Sequence, residues 1–181
     1  DSEGEASALW TLGPSTADSQ LVEARVFDSR TGDILASVVL EATALPGAPA
    51  ALGFAQQPVD ATGGIGGRAA VRVEDSFGNR VTSDSSSSVT LALLPGSGNP
   101  HAALVGTVSS TAVGGVAQFD EFGVDSVGTG YRLVAYAVGL AADTSAAFDV
   151  SLGPVDTVLL SPAAARHDTL GATTGYTATA H

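Results

Sequence analysis

The chain has 181 residues, enough for one or two domains with cores of their own. Its 19 acidic residues outnumber 7 basic ones, all Arg, for a net charge of -12. No basic stripe is available to neutralise nucleic-acid phosphates or to meet an anionic membrane. Cysteine is absent, which excludes disulfides, thiolate metal sites and cysteine nucleophiles. No run approaches the roughly 20 apolar residues of a membrane-spanning helix. The expectation is no nucleic-acid partner and no membrane insertion.

Apolar residues make up 44% of the chain but aromatics only 6%, so the apolar content is mostly Ala, Val and Leu. Such side chains suit thin sandwich layers better than a deep ligand pocket. Taken in chain order, residues 9–13 (Leu-Trp-Thr-Leu-Gly), 20–24 (Gln-Leu-Val-Glu-Ala) and 38–42 (Val-Val-Leu-Glu-Ala) read as strands of a partial module. A Pro/Gly linker over residues 45–49 follows. Further strands are expected at 50–55, 68–74, 79–82, 88–94, 103–111, 115–122, 130–138 and 145–151. The period is two residues: Val71 and Val73 alternate with Arg72 and Glu74, and Val89, Leu91 and Leu93 with Thr90 and Ala92. No segment shows helical spacing with caps.

The inward positions of these strands predict a core of Phe54, Val71, Val73, Val89, Leu91, Leu93, Leu104, Val116, Phe119, Phe122, Tyr131, Leu133, Ala135, Phe148 and Val150. Turn chemistry separates the runs. In Asp75-Ser76-Phe77-Gly78-Asn79 the Asp75 side chain is placed to accept from nearby backbone N–H groups. Residues 63–67 read as a flexible glycine-rich approach, 84–88 as a polar lead, 95–100 as a long loop, and Gly114-Gly115 as a hairpin turn. At the end of the chain, residues 157–160 read as an opening strand, and 175–180 mirror 70–75.

The segment Pro49-Ala50-Ala51-Leu52-Gly53-Phe54 recurs loosely as Pro154-Val155-Asp156-Thr157-Val158-Leu159. The period of about 105 residues is close to the ~100 residues of an immunoglobulin-type sandwich. The expected fold class is therefore all-β: an immunoglobulin-like β-sandwich with one complete module flanked by partial modules. The expected divisions are 1–46 (the C-terminal part of one module), 47–151 (a complete module) and 152–181 (the N-terminal part of a following one). On the same alignment, residues 9–13 sit where 119–123 sit, and 20–24 where 131–135 sit. The two flanking pieces are expected to be either parts of a longer array or halves completed by a neighbouring chain.

The run from Val71 through Asp75, Gly78 and Asn79 to Val81 resembles the V-x-V-x-D-x-x-G-N-x-V signature of bacterial Ig-like domains. So do residues 114–119 and 128–133, and the Trp10–Gly13 element with the Pro46-Gly47-Ala48-Pro49 linker. Domains of that family occur in tandem in surface proteins of the invasin and intimin type. The resemblance implies an extracellular or cell-surface location in bacteria and neighbours of the same kind. No ligand-binding tip motif of the family maps onto a position here.

Residues able to carry chemistry are sparse. His101, His167 and His181 have no second ligand at metal-binding spacing and read as exposed loop histidines. No Ser lies in a G-x-S-x-G elbow, so no catalytic residue is assigned and an enzyme is not expected. Residues 63–67 lack the Lys and helix of a phosphate loop. Asp120, Glu121 and Asp125 near one end, and Glu74 and Asp75 at another turn, are carboxylates of the kind that gather Ca²⁺ at module joints. Solvated surface groups are the default reading, and no cofactor is assigned beyond that candidate ion. Tyr131 and Trp10 are expected in cores, Tyr131 as a tyrosine corner whose hydroxyl bonds a neighbouring loop.

The leading expectation for function is a structural module of a bacterial surface stalk, fibre or filament, with adjacent Ig-like repeats or further copies of itself as partners. A sharper version is head-to-tail strand complementation between the partial modules. The alternatives are an adhesin that binds a host or cell-wall ligand through loops 95–101 and 123–130, and an accessory domain of a secreted hydrolase.

Overall fold

The computed structural model describes residues 7–153 together with 158–161 and 177–180. It is all-β, with no helix among the described residues and hence none long and apolar enough to cross a membrane. The strands are β1 (Gln20–Phe27), β2 (Ile34–Ala42), β3 (Ala51–Gln56), β4 (Ala61–Thr62), β5 (Gly64–Glu74), β6 (Ser88–Leu93), β7 (Leu104–Gly106) and β8 (Ser109–Thr111). They continue as β9 (Val116–Val124), β10 (Gly128–Tyr131), β11 (Leu133–Tyr136), β12 (Asp143–Thr144), β13 (Phe148–Ser151), β14 (Val158–Ser161) and β15 (Thr177–Ala180).

Residues 50–151 build an immunoglobulin-like β-sandwich. One sheet has the order β3-β5-β9-β7; the opposing layer is β12-β11-β6-β8 with β10-β13-β4 beside it. The core between them joins Val71, Val73 and Phe119 to Val89, Leu91, Leu133, Ala135, Tyr131, Phe148 and Val150. Each Leu, Val or Phe moved fully from water into this core contributes roughly 1.5–3 kcal/mol. Tyr131 is completely buried, with its ring 5.9 Å from that of Phe148 and its hydroxyl donating to the Ser126 carbonyl at 2.9 Å, the tyrosine corner expected from the sequence.

The flanks form two separate two-stranded sheets, β1-β2 and β14-β15, both antiparallel. In the β1-β2 hairpin the Asp28 carboxylate accepts from the Arg30 and Thr31 N–H groups to close the turn.

Several expectations require correction. Residues 79–82 form no strand: Arg80 makes a single bridge to Glu74, the Val81 N–H donates to the Val73 carbonyl, and the chain turns at once. The run 103–111 is two strands, because Gly106, at φ 85°, sends β7 to β9 and releases β8 to β6. The run 130–138 also changes sheets: Tyr131 pairs with Phe148 on β13, whereas Leu133 pairs with Leu93 on β6. Residues 64–67 open β5 rather than forming a flexible approach, and residues 9–13 form no strand. Trp10, expected in a core, is only half-buried. Leu93 and Leu104 are half-buried at the margin of the core. Val116 is half-buried too: it pairs with the outward Arg72, whereas Ala117, two residues from Phe119, pairs with Val71 and takes the inward place.

The Gly114-Gly115 turn is a two-residue hairpin connection between Val113 and Val116, with φ of 57° and 76°, as a type I′ turn requires. A Cβ on Gly115 would also lie 2.3 Å from the Val81 carbonyl oxygen, whereas one on Gly139, also at positive φ, meets nothing within 4 Å. Gly115→Ala is expected to cost at least about 1–3 kcal/mol in urea unfolding, and Gly139→Ala distinctly less. Tyr131→Phe, which leaves the Ser126 carbonyl without its donor, is expected to cost about 1–2 kcal/mol in the same measurement.

Candidate functional site: the joint at the Asp75–Asn79 turn

The sandwich has two poles, set by the ends of β5. At one, β5 ends in Glu74 and the linker arrives: the Ala50 N–H donates to the Glu74 carbonyl at 2.8 Å. At the other, β5 begins at Gly64 and the chain leaves, with Ser151 paired to Thr62 and accepting from the Gly63 N–H. Eleven strand residues separate the poles, roughly 35 Å at the usual rise per residue.

The arriving pole is organised by one carboxylate. Asp75 Oδ1 accepts from the Phe77 and Asn79 N–H groups at 2.9 and 3.0 Å. Its Oδ2 accepts from the Gly47 N–H of the linker at 2.9 Å and from Asn79 Nδ2 at 3.0 Å. Asn79 then reaches further back: its Nδ2 donates to the Pro14 carbonyl at 2.8 Å, and its Oδ1 accepts from the Thr16 N–H at 3.3 Å. Gly78, at φ 81°, supplies the left-handed step that folds Asn79 back over Asp75. Around this polar centre, Leu12, Pro14, Ala44, Leu45 and Phe77 line a groove of about 450 Å³.

Asp75 is only 3% exposed, yet it remains easily ionised. The Asn79 side-chain amide, then the Gly47 N–H, hold its carboxyl down at about 2, with the other N–H donors outweighing burial. Asp84 shows the same logic at the next turn: burial pushes it up, but the Ser87 hydroxyl and the Ser86 and Ser87 N–H groups prevail and leave it below its ordinary value. Asp125 is also held low, first by the Ala103 N–H and then by the Ser126 hydroxyl.

Both Asp75 oxygens accept from N–H donors, Asp125 Oδ1 accepts from the Ala103 N–H and the Ser126 hydroxyl, and Asp120 and Glu121 are exposed. Among the described residues no group of three His, Asp or Glu is placed to hold a metal ion. His101 is exposed in its loop; His167 and His181 lie outside the described residues. The two loops considered for ligand binding meet at the leaving pole, where Asp125 bonds the Ala103 N–H, Tyr131 bonds Ser126, and Gly98 lies against the Tyr131 ring. Beside them, Gly64, Gly66, Phe122, Phe148 and Val150 line a cleft of about 330 Å³. The sequence pattern placed Asp75 as a turn acceptor; it did not single out Asn79 as the residue that reaches Pro14 and Thr16, 65 and 63 positions away.

No family model and no curated protein matches the chain. Among solved structures it is similar to part of a beta-glucuronidase from Parabacteroides merdae, at 17% identity and a TM-score of 0.41, covering 70% of this chain and 16% of that one. It is also similar to part of a glycosyl hydrolase family 2 member from Bacteroides cellulosilyticus, at 14% identity and a TM-score of 0.40, covering 71% of this chain and 17% of that one. A likeness of this size transfers no activity.

The joint has a pH signature. The Asp75 carboxyl is lowered from 3.8 to about 2, so it favours the folded joint fully above pH 3.8, and that contribution is lost as pH falls through about 2. Asp84 and Asp125, lowered likewise, act in the same direction. In thermal melts from neutral pH into this window, Asp75→Asn is expected to melt lower than wild type at neutral pH and to show a shallower fall in Tm on acidification.

Proposed function

We propose that the chain is a structural module of an extracellular bacterial stalk, fibre or filament. On this reading it acts mechanically, by holding successive sandwich units at a defined angle. The observation that carries the reading is the joint: Asp75 and Asn79 bond Gly47 in the linker and Pro14 and Thr16 in the preceding segment, all within one turn. These hydrogen bonds hold the linker and the preceding segment against the sandwich at one turn, which supports a fixed joint. The separation of the arriving and leaving poles along β5 supports the same reading, since units joined at opposite ends extend rather than cluster. Its partners would then be adjacent Ig-like repeats or further copies. The adhesin alternative has weaker support, because loops 95–101 and 123–130 are pinned to each other through Tyr131 and Asp125 at the pole from which the chain runs on.

Amide ¹⁵N relaxation tests the reading. The β1-β2 hairpin is expected to share the rotational correlation time of the sandwich, and Asn79→Ala is expected to shorten the hairpin's correlation time while leaving the sandwich unchanged. A hairpin that tumbles independently in the unaltered chain would remove the mechanical role.

A further inference from the structure

Charge is divided unequally between the two layers of the sandwich. The β3-β5-β9-β7 sheet carries Arg68, Arg72 and Glu74 on β5 and Asp120 and Glu121 on β9, with Arg72 and Glu74 ion-paired at 2.8 Å. On the four strands of the opposing β12-β11-β6-β8 sheet the only charged residue is Asp143. Asp143 pairs with the fully buried Ala135 and so faces inward, where its Oδ2 accepts from the Phe54 N–H at 2.8 Å.

Register fixes what the outer surface of that sheet presents, because directly opposed residues of an antiparallel pair share a face. Val134 stands opposite Thr144 on one side and Ala92 on the other, and Thr90 stands opposite Tyr136 and Ser109. Thr111, opposite Ser88, extends the same surface. These positions alternate with Val89, Leu91, Leu133 and Ala135, which fill the core, so they point away from it. Tyr136 is 48% exposed, and Ser109, Thr111 and Thr144 are exposed as well. The surface is thus uncharged and rich in hydroxyls, and Thr90 Oγ1 donates to Ser109 Oγ only at a long 3.4 Å.

A chain of net charge -12 repels its own copies, and a sheet face without carboxylates is where two copies approach with least opposition. The face is also self-complementary, since every hydroxyl both donates and accepts. An isologous two-fold contact requires that property, because the same patch meets itself. A face of fixed charges meets its own copy only where opposite signs fall together. We infer that the outer face of β12-β11-β6-β8 is a lateral docking surface for the same face of a second copy of this chain, centred on Tyr136, Thr90 and Ser109. The sheet measures roughly 15 Å from β12 to β8, so the pair is weak and reversible. The contact lies on the flank of the sandwich and does not depend on the joint at Asp75.

Sedimentation equilibrium of the full chain, carried to about 1 mM, tests the contact at a concentration where a weak pair is populated. Dimers are expected, and their association constant is expected to rise several-fold between about 20 and about 500 mM salt, because screening removes like-charge repulsion and no ion pair is lost. Ser109→Glu, and independently Thr111→Glu, is expected to weaken dimerisation at least tenfold with the melting of the sandwich unchanged, because neither position belongs to its core. Gln118→Glu adds the same charge to the outer face of the other sheet and is expected to leave the dimer close to its original strength. Dimers that weaken with salt, or that survive both Ser109→Glu and Thr111→Glu, would place the contact elsewhere and overturn the inference. A chain that stays monomeric throughout the range would overturn it outright. Retention of that monomer on an insoluble neutral glucan, lost in Tyr136→Ala, would assign the face to a glycan instead. A hairpin found to tumble independently in the relaxation experiment would remove the mechanical role and leave this contact standing.

Discussion

An almost enclosed carboxylate has to be matched by donors, because an unpaired buried charge is far more costly than the contacts that surround it. Asp75 is such a group, and the way it is matched organises the arriving end of the molecule. Its donors come from the turn itself, from Asn79 and from the Gly47 amide of the linker. The same ion therefore ends β5, folds the Phe77–Asn79 turn and fixes where the preceding segment meets the sandwich. Asn79 extends the arrangement, since an amide side chain both donates and accepts: it donates to Asp75 and Pro14 and accepts from Thr16.

The rest of the sandwich is closed by strands that change sheets. Gly106 releases the chain from β7 to β8, and Arg132 separates β10 from β11, so the two layers are stitched together at their margins. Tyr131 sits at the second crossover, fully buried, with Gly98 and Gly128 packed against its ring and its hydroxyl anchored on Ser126. That anchoring draws the 95–101 and 123–130 loops into one structure at the leaving pole. The molecule thus has two differently built ends: one polar and centred on an ion, the other formed by an aromatic corner and a glycine-rimmed cleft.

Much of this was legible in the residues. Alternation located β3, β6, β9 and β13 to within a few positions, because a strand with one buried face must place its apolar residues two apart. The Asp75-to-Asn79 turn, the Gly114-Gly115 hairpin and the Tyr131 corner were legible for a similar reason: each depends on a side chain or a φ that few residues provide. The errors fall where the tertiary arrangement overrides local pattern. Residues 79–82 alternate as a strand would but have a partner for only one residue. Val116 is apolar, yet β9 pairs with β5 in a register that sets it against the outward Arg72 and gives the inward place to the small Ala117.

The sequence by itself determined the all-β class and most of the core, since these follow from periodicity, turn chemistry and composition, which are local properties. Only the tertiary structure decided that Asn79 bonds Pro14 and Thr16 and that runs such as 103–111 and 130–138 divide between sheets. Each of these depends on which distant segments meet, and spacing along a chain does not carry that information.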